Sequence, residues 1–289
     1  MGKSFKELDL SNAFLFAATL SDSQTCQLVL EIILGQKLPS VSVHAEHTVF
    51  VSSDFRSVRL DIYATDELRV NYNIEAQNDN ENNLAKRSRF HQAEMDVKAL
   101  KPGEKFEDLR PAYVIFICTF DPFGKGLYRY TFENRCEECD IPLGDGVKKI
   151  FLSTKGRNDD EVPKELIHFL KYVEHSTDDY VANVNDANIS RLHESVTRVK
   201  LLQDLEEKFM TGQELLDISH RKGVAEGISQ GLINGKIESI IEILSELGTL
   251  SEEIETAIKS EKDLDILKGW VKLAARVSSV EEFADKMNG

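Results

Sequence analysis

The sequence predicts an α/β fold in which helices flank a mixed central sheet, followed by a helical C-terminal region. Three observations support this prediction. Residues 58–77 contain two short runs of alternating apolar and polar side chains, residues 111–120 are almost continuously apolar, and the second half of the chain is mainly helical in periodicity. A continuous apolar run is typical of a strand covered on both faces, and its position after a helix implies a crossover connection.

Composition restricts the class of protein. A chain of 289 residues suits one large domain or a domain with an appendage. With 35 basic and 50 acidic residues, the net charge is −15, which argues against a constitutive DNA binder and requires any phosphate contacts to come from a local basic patch and bound cations. The chain has no apolar run long enough for a membrane span, its first residues lack the long apolar core expected of a signal peptide, and its four cysteines are irregularly spaced. We therefore expect a cytoplasmic protein without a membrane partner.

The first predicted element is an amphipathic helix over residues 22–35. Asp22 or Ser23 can cap its beginning, and Gly35 ends it. Glu31 lies one residue away from the buried side of this helix. Its carboxylate is either an ordinary solvated charge or a further acid directed toward the hairpin described next.

Three consecutive strands are predicted after this helix. A short β-rich run covers residues 47–53, and two alternating runs, 58–64 and 70–77, form a hairpin. One face of the hairpin is apolar, and the other carries amides together with the carboxylates of Asp61 and Glu75. A polar hairpin face either lies in solvent or forms a site, and the hairpin alone does not decide between these interpretations.

The alternation also restricts how the two hairpin strands pair. Opposed residues share a face, so Asp61 must lie opposite an odd-numbered residue. A three-residue turn would pair Thr65 with Arg69 and Asp61 with Asn73, leaving Glu75 as the diagonal neighbour of Asp61 at about 7–8 Å. A turn longer by two residues would place Asp61 directly opposite Glu75. In both registers the two carboxylates can share one ion.

A helix over residues 84–100 follows the hairpin, and it ends before a Lys-Pro-Gly sequence. Its first turns carry Lys86, Arg87 and Arg89. Cations are unfavourable at a helix N-terminus because of the helix dipole. These side chains therefore either grip phosphates or form an ordinary solvated cluster.

The remaining predicted elements of the first domain are strands at 111–120, 127–133 and 148–152 and helices at 165–173 and 187–214. A CxxC sequence, Cys136 to Cys139, lies between the second and third of these strands. Such spacing can chelate zinc, but the chain supplies no second pair, since Cys26 and Cys118 lie on apolar elements and no histidine is near. A zinc or redox site there is disfavoured.

Glycines recur every four residues in the next segment, at Gly223, Gly227, Gly231 and Gly235. Each costs a helix about 1 kcal/mol, so a helical row of glycines implies close packing against another helix or against a second copy of the chain. The alternative is a flexible linker. We favour the helical interpretation and expect this segment to be a route to a homo-oligomer.

Two or three short helices are predicted from residue 251 to residue 287. Their apolar anchors are Leu264, Leu267, Trp270 and Leu273. The domain boundaries that follow from these elements are residues 1–212 for the α/β domain, 213–248 for the glycine segment and 249–289 for the C-terminal helices.

The chain resembles the PD-(D/E)XK nuclease superfamily and, within it, the recombination-promoting nuclease and transposase group. The order helix, three strands, helix, strand carries this resemblance. The matching sequences are Asn12-Ala13-Phe14-Leu15-Phe16, Leu60-Asp61-Ile62-Tyr63-Ala64, Asn73-Ile74-Glu75-Ala76-Gln77, Lys86-Arg87-Ser88-Arg89-Phe90 and Ile150-Phe151-Leu152-Ser153-Thr154-Lys155-Gly156. The resemblance covers most of the chain and implies a restriction-endonuclease-like core. Two positions depart from the pattern: Gln77 replaces the usual lysine, and His91 stands where tyrosine is common.

The resemblance also implies a function and a site. Asp61 and Glu75 would ligate Mg²⁺ together with the backbone carbonyl of Ala76, with Glu31 as an additional candidate and with Mn²⁺ or Ca²⁺ as alternative ions. Gln77 would be catalytic by holding the attacking water, because an amide is neither a base nor a cation. The remaining candidate residues, Lys86, Arg87 and Arg89, would contact DNA phosphates.

The activity implied is metal-dependent DNA endonuclease activity that hydrolyses phosphodiester bonds in recombination or in mobile elements. The alternative is a catalytically inactive nuclease fold that acts in binding, regulation or assembly. The acidic net charge and the absent lysine motivate that alternative.

Overall fold

A six-stranded mixed sheet forms the centre of the molecule. The computed structural model describes residues 3–44, 48–49, 58–59 and 62–287. The described strands are β1 (Val41–His44), β2 (Thr48–Val49), β3 (Val58–Arg59), β4 (Ile62–Asp66), β5 (Asn71–Gln77), β6 (Ala112–Cys118), β7 (Arg129–Phe132) and β8 (Val147–Ser153). The sheet has the order β1-β4-β5-β6-β8-β7, and β2 pairs with β3 as a separate ribbon. The predicted mixed sheet is confirmed.

The helices are α1 (Ala13–Leu20), α2 (Ser23–Leu34), α3 (Leu84–Ala99), α4 (Lys164–Glu174), α5 (Asp178–Val184), α6 (Ala187–Lys200), α7 (Gln203–Leu247), α8 (Glu252–Ser260), α9 (Leu264–Ala274) and α10 (Val280–Lys286). Local sequence signals set several of their ends. The Asp22 carboxylate accepts the Thr25 N–H at 2.9 Å at the beginning of α2, and Gly35 ends this helix with a φ of 69°.

The centre of the sheet is parallel. Strand β5 pairs with β6 and β6 pairs with β8 in parallel, whereas β4-β5 and β7-β8 are antiparallel. A parallel neighbour requires a crossover, and α3 supplies it between β5 and β6. Strand β6 is buried along almost its whole length, which is why its sequence is nearly continuously apolar.

The outer edge of the sheet differs from the sequence prediction. The predicted strand at 47–53 is described only at Thr48–Val49, which pairs with β3 and not with the hairpin. Strand β1 pairs with β4 instead, from Val41 opposite Asp66 to His44 opposite Tyr63. Its four residues alternate but are too few to give a clear periodic signal, so the strand was missed.

Helices cover both faces of the sheet. Helices α1, α2, α4 and α6 bury the main apolar core against the face that carries Ile62, Tyr72 and Ile74. Helix α3 covers part of the opposite face, where Leu84 and Met95 join a second cluster with Phe116 and Phe151. The hairpin therefore has a helical layer on each side.

The helical second half differs in detail from the prediction. The helix expected over 187–214 is two helices, because α6 ends at Lys200 and α7 begins at Gln203. The Leu201 N–H bonds to the Arg198 carbonyl three residues back at 3.2 Å, a tight last turn that ends α6. Helix α5 has seven residues and no strong apolar periodicity, and it was not predicted.

The chain divides into two compact units, residues 1–212 and 213–289. In the second unit, α7 continues as a helix through the glycine row and packs with α8, α9 and α10 around Ile240, Ile258, Leu267 and Phe283. Side-chain caps at Ser251, Asp263 and Ser279 begin the three short helices. No helix in the described part of the chain is long and apolar enough to cross a membrane.

Candidate active site

The polar face of the hairpin is buried. On β5, Tyr72 and Ile74 point into the main core, so Asn73, Glu75 and Gln77 point to the opposite face, toward α3. The exposed fractions of Asn73 and Glu75 are only 5% and 8%. A face that merely met solvent would not be covered in this way, so the site interpretation of the hairpin gains support over the solvated one.

The observed pairing of the two hairpin strands is the second of the two predicted registers. Ile62 lies opposite Ile74 and Tyr63 lies opposite Asn73, which is the register in which the sequence places Asp61 opposite Glu75. Asp61 itself lies outside the described residues. The backbone N–H of Asp66 bonds to the Val70 carbonyl at 3.1 Å, so the three residues of the turn are 67–69, one position later than 66–68.

Arg87 of α3 reaches across to two side chains of β5. Its Nη2 donates to Glu75 Oε1, and its Nη1 donates to Gln77 Oε1 at 2.7 Å. The guanidinium carbon also lies 5.6 Å from the ring centre of buried Phe116. Arg87 therefore links the two motif residues of β5 through one charged group held in a partly buried place.

His91 lies one helical turn after Arg87 and approaches the other oxygen of Glu75. The distance from its Nε2 to Glu75 Oε2 is 3.3 Å, and that from its Nδ1 to Glu94 Oε2 is 3.7 Å. The first distance is in ion-pair range, yet Glu75 Oε2 accepts no hydrogen bond from the described residues. The His91 ring is therefore close to Glu75 Oε2 without the angles of a hydrogen bond.

Buried acceptors without donors are concentrated in this layer. Besides Glu75 Oε2, the side-chain oxygens Asn73 Oδ1 and Gln92 Oε1 accept no hydrogen bond within the described part of the chain. Buried oxygens in that state are costly, and a cation or its bound water would satisfy them. Oxygen ligands are also those that Mg²⁺ prefers. The buried oxygens of Glu75 and Asn73, which leave the same face of β5, therefore fit a divalent cation.

The three cations predicted to act together separate in the structure. Arg87 is turned inward with 29% of its side chain exposed, whereas Lys86 and Arg89 are exposed on the outer side of α3. Phe90, next to Arg89, is 55% exposed. Helix α3 thus directs Arg87 toward Glu75 and leaves Lys86 and Arg89 exposed to solvent.

A comparison with protein families decides the relationship. The model of the family described as PD-(D/E)XK nuclease family transposase matches residues 14–209, more than half of the chain. The chain belongs to the PD-(D/E)XK nuclease family of transposases. The comparison with curated proteins found no match, and neither did the comparison with solved structures. The family resemblance and the fold class predicted from the sequence are both confirmed.

The residues predicted to hold the metal lie only partly among those that the structure describes. Among them, no group of three or more His, Cys, Asp or Glu side chains is arranged to hold a metal. Asp61, the other predicted carboxylate ligand, lies beyond the described ranges. Ala76, the predicted carbonyl ligand, pairs with Ile117 in the ladder between β5 and β6.

Glu31 has local partners at the end of α2. Its carboxylate accepts hydrogen bonds from Lys37 Nζ at 2.6 Å, the Leu38 N–H at 3.1 Å and Gln27 Nε2 at 3.3 Å. Burial raises the pKa of this carboxyl, but the three hydrogen bonds outweigh burial and leave the pKa below its ordinary value. Glu31 is thus held as a carboxylate that fixes the turn leading to β1.

The cysteines of this family member form two different classes. Cys26 and Cys118 are buried, and burial raises the pKa of each thiol to about 12, so both stay protonated and unreactive. Cys136 Sγ lies 3.0 Å from Glu138 Oε2, and Cys139 is exposed. None of these cysteines belongs to a group of three or more His, Cys, Asp or Glu side chains that could hold a metal within the described part of the chain.

Two features of the site were missed in the sequence. The sequence does not predict a role for His91, although this residue follows Arg87 by four positions and so shares its side of the helix. Asn73 was counted only as an amide on the polar face, although it has the same parity as Glu75. The parity signal was therefore present, but the burial of this face by α3 is a tertiary fact that periodicity does not contain.

Proposed function

We propose that the protein is a metal-dependent DNA endonuclease that hydrolyses phosphodiester bonds during recombination or the movement of mobile elements. The observation that carries this proposal is buried Glu75 with one oxygen bonded to Arg87 and the other without a hydrogen-bond donor among the described residues. The nuclease family of the chain gives this carboxylate its chemical context.

Three groups are proposed to hold Mg²⁺: the carboxylates of Asp61 and Glu75 and the carbonyl of Ala76. Mn²⁺ or Ca²⁺ would use the same oxygen ligands. Glu31 is a weaker candidate ligand, because α2 packs against the face of the sheet opposite to Glu75 and the Glu31 carboxylate already bonds to Gln27, Lys37 and Leu38. When bound, the ion would lower the pKa of a water and neutralise charge on the phosphate.

Gln77 is proposed to orient the attacking water. Its Oε1 accepts from Arg87, and its Nε2 donates to the Asp79 carbonyl at 2.8 Å. An amide oxygen has two lone pairs and an amide nitrogen has two hydrogens. Gln77 therefore keeps one acceptor and one donor for a water while its side chain is held in place by these two bonds.

Arg87 is proposed to supply the positive charge that a lysine at position 77 would have provided. It is always protonated, and its fork can bind a phosphate oxygen with one side while it holds a neighbour with the other. A fixed cation in a partly buried place stabilises developing charge better than a solvated one. Phosphate contact by Arg87 would therefore occur at the scissile group.

Lys86 and Arg89 are proposed to contact phosphates away from the cleaved bond. Both are exposed on α3, whose inner side faces Glu75. Such contacts position the DNA without reading its sequence. They also supply a local basic patch on a chain whose net charge is −15.

The test of the proposal is nicking of supercoiled plasmid by the wild type and by the variants Asp61→Ala and Glu75→Gln, in Mg²⁺ and in EDTA. Cleavage that requires Mg²⁺ and falls by about 100-fold or more in both variants is expected. Glu67→Gln is the matched control, because Glu67 is an exposed acid in the turn of the same hairpin. Unchanged cleavage in both site variants would overturn the assignment.

A second candidate function is a binding or regulatory module on an inactive nuclease fold. The acidic net charge and Gln77 in place of lysine favour it. Calorimetric titration with Mn²⁺ separates the two candidates. Binding that Glu75→Gln removes supports the nuclease, whereas no carboxylate-dependent binding supports the inactive module.

Self-association through α7 is proposed as an accompanying property. A Cβ atom added at Gly223, Gly227, Gly231 or Gly235 would meet nothing within 4 Å, so the row is open in the single chain. Beside it, Val224, Ile228 and Leu232 are 47%, 61% and 50% exposed and recur every four residues. An open glycine row next to an apolar stripe suits close packing of two such helices.

A further inference from the structure

Asn73 has an unusual environment within strand β5. Only 5% of the residue is exposed, and its Oδ1 accepts no hydrogen bond from any residue that the structure describes. It precedes Glu75 by two residues, so both side chains leave the same face of the strand, with about 7 Å between their Cα atoms. A buried amide oxygen without a donor therefore lies beside the candidate metal ligand.

The neighbouring amide shows that donors exist on this face but are used elsewhere. Asn71 Oδ1 accepts from the Tyr63 hydroxyl at 3.0 Å and from the Thr65 hydroxyl at 3.1 Å. Asn71 and Asn73 have similar exposed fractions, 6% and 5%. Among the described residues, the oxygen of Asn71 has hydrogen-bond donors and that of Asn73 has none.

An unsatisfied buried acceptor costs about 1–3 kcal/mol. Leucine has nearly the same shape as asparagine and no polar atom, so Asn73→Leu would remove this cost if the side chain had only a packing role. An asparagine that lowers stability when no ligand is bound is best explained if a ligand brings the hydrogen-bond donor that its side-chain oxygen lacks. Water bound to a cation is such a donor.

We propose that Asn73 is a positioning residue whose Oδ1 accepts a hydrogen bond from a water ligand of the divalent cation at Glu75. The inference rests on the proposed function. Mg²⁺ retains several waters when a protein binds it, and groups that hold such ligands typically change metal affinity or activity by 10–100-fold. A neutral amide suits this role because it fixes a water without adding charge beside Glu75.

The same contact would also serve catalysis. Gln77 lies on the other side of Glu75 along the strand, at the same spacing and on the same face. One water held by Asn73 and a second held by Gln77 would lie on the two sides of Glu75 along the strand. Asn73 would act through bound water, and it would not itself touch the reacting phosphate.

The experiment compares Asn73→Leu, Asn73→Ala and Asn71→Leu with the wild type in the full chain. Three quantities are measured: the free energy of unfolding without metal, the affinity for Mn²⁺ by calorimetry, and plasmid cleavage. We expect Asn73→Leu to be at least as stable as the wild type but to bind Mn²⁺ about 10–100-fold more weakly. Asn71→Leu should show the opposite pattern, with lower stability and an unchanged affinity, because it strands two hydroxyl donors.

The inference is overturned if Asn73→Leu and Asn73→Ala bind Mn²⁺ as tightly as a wild type that does bind it. The alanine variant keeps the test valid if the leucine side chain does not fit, because it removes the same oxygen with a smaller group. A wild type that binds no Mn²⁺ overturns the proposed metal site and this inference together. Failure of the inference alone is distinguished by normal binding in the wild type.

Discussion

At the scale of single residues, Arg87 connects the two motif residues of β5. It bonds to Glu75 and Gln77, and buried Phe116 lies beneath it. In the metal-free chain the guanidinium partly neutralises a carboxylate that would otherwise be costly to bury. The same arrangement places a permanent positive charge where the proposed reaction develops negative charge.

Substitution of Arg87 should affect the chemical step more than binding. We expect Arg87→Met to lower kcat by about 100-fold or more, and Gln77→Lys in the same background to restore part of it by returning a cation to the site. Arg89→Met is the matched control on the exposed side of α3 and should raise KM with little change in kcat. Equal effects of the two methionine variants on KM alone would contradict the proposed role.

Asp121 gives a pH prediction for stability. Burial raises the pKa of its carboxyl, but hydrogen bonds from the Tyr130 hydroxyl and from the N–H groups of Gly126, Phe123 and Gly124 outweigh burial and lower it. A folded-state pKa below the unfolded value gives stability that is present above the unfolded pKa of about 3.9 and is lost as pH falls through the folded pKa.

We therefore expect Asp121→Asn to be less stable than the wild type near neutral pH, with a difference that shrinks below about pH 4. Urea denaturation of both proteins across this range measures the difference. A difference in unfolding free energy that is constant with pH would show that the carboxylate charge contributes nothing.

At the scale of elements, α7 is a continuous helix although it contains several glycines, which are poor helix formers. It runs from Gln203 to Leu247 through the whole glycine row. Glycine is about 1 kcal/mol worse than alanine in a helix interior, and open space surrounds each glycine of the row in the single chain. The proposed self-association would give these glycines a role, because a second helix could approach the open row closely.

Two variants of α7 separate self-association from a purely local role. We expect Ile228→Glu to shift the protein toward monomer in light scattering, because it places a charge in the proposed contact. Gly227→Ala should also weaken association, although in a monomer it would stabilise the helix by about 0.4–1 kcal/mol. A wild type already monomeric at high concentration, with Gly227→Ala only more stable, would contradict the proposal.

The elements differ in how far the sequence predicts them. The hairpin and β6 are strongly patterned, so their positions follow from periodicity. Helix α3 has no clear apolar stripe, and the Lys-Pro-Gly sequence after it predicts where it ends. Strand β1 and helix α5 are short, and tertiary packing determines them. The gap between α6 and α7 was missed because Leu201 and Leu202 continue the apolar pattern although they are 73% and 48% exposed.

The residues of the site also differ in how far the sequence predicts them. Parity alone places Glu75, Gln77 and Asn73 on one face, and the sequence predicts that much. The inward turn of Arg87 and the contact of His91 with Glu75 depend on how α3 lies across the sheet. No local pattern in a single sequence contains that information.

At the scale of the whole molecule, charge limits how DNA binds. Because the net charge of the chain is −15, the protein as a whole does not attract the DNA polyanion at long range. With two or three proposed phosphate contacts, the logarithm of the binding constant should fall with the logarithm of salt concentration with a slope of only about −2 to −3. Fluorescence anisotropy with a short duplex in Ca²⁺ measures this slope.

The double variant Lys86→Met/Arg89→Met should reduce that slope by about 2. Lys101→Met, an exposed lysine just after α3, is a control for simple loss of one positive charge. A slope that stays the same in the double variant would place the DNA on another surface of the protein.

We propose that a divalent cation binds at Glu75 on the buried polar face of the hairpin. A crystal structure of the protein with Mn²⁺, examined by anomalous scattering, tests this claim most directly. We predict an anomalous peak within ligand distance of Glu75 and Asp61, with the Arg87 contact to Glu75 rearranged. A peak elsewhere, or Glu75 still bonded to Arg87 at a Mn²⁺ concentration that supports cleavage, would contradict it.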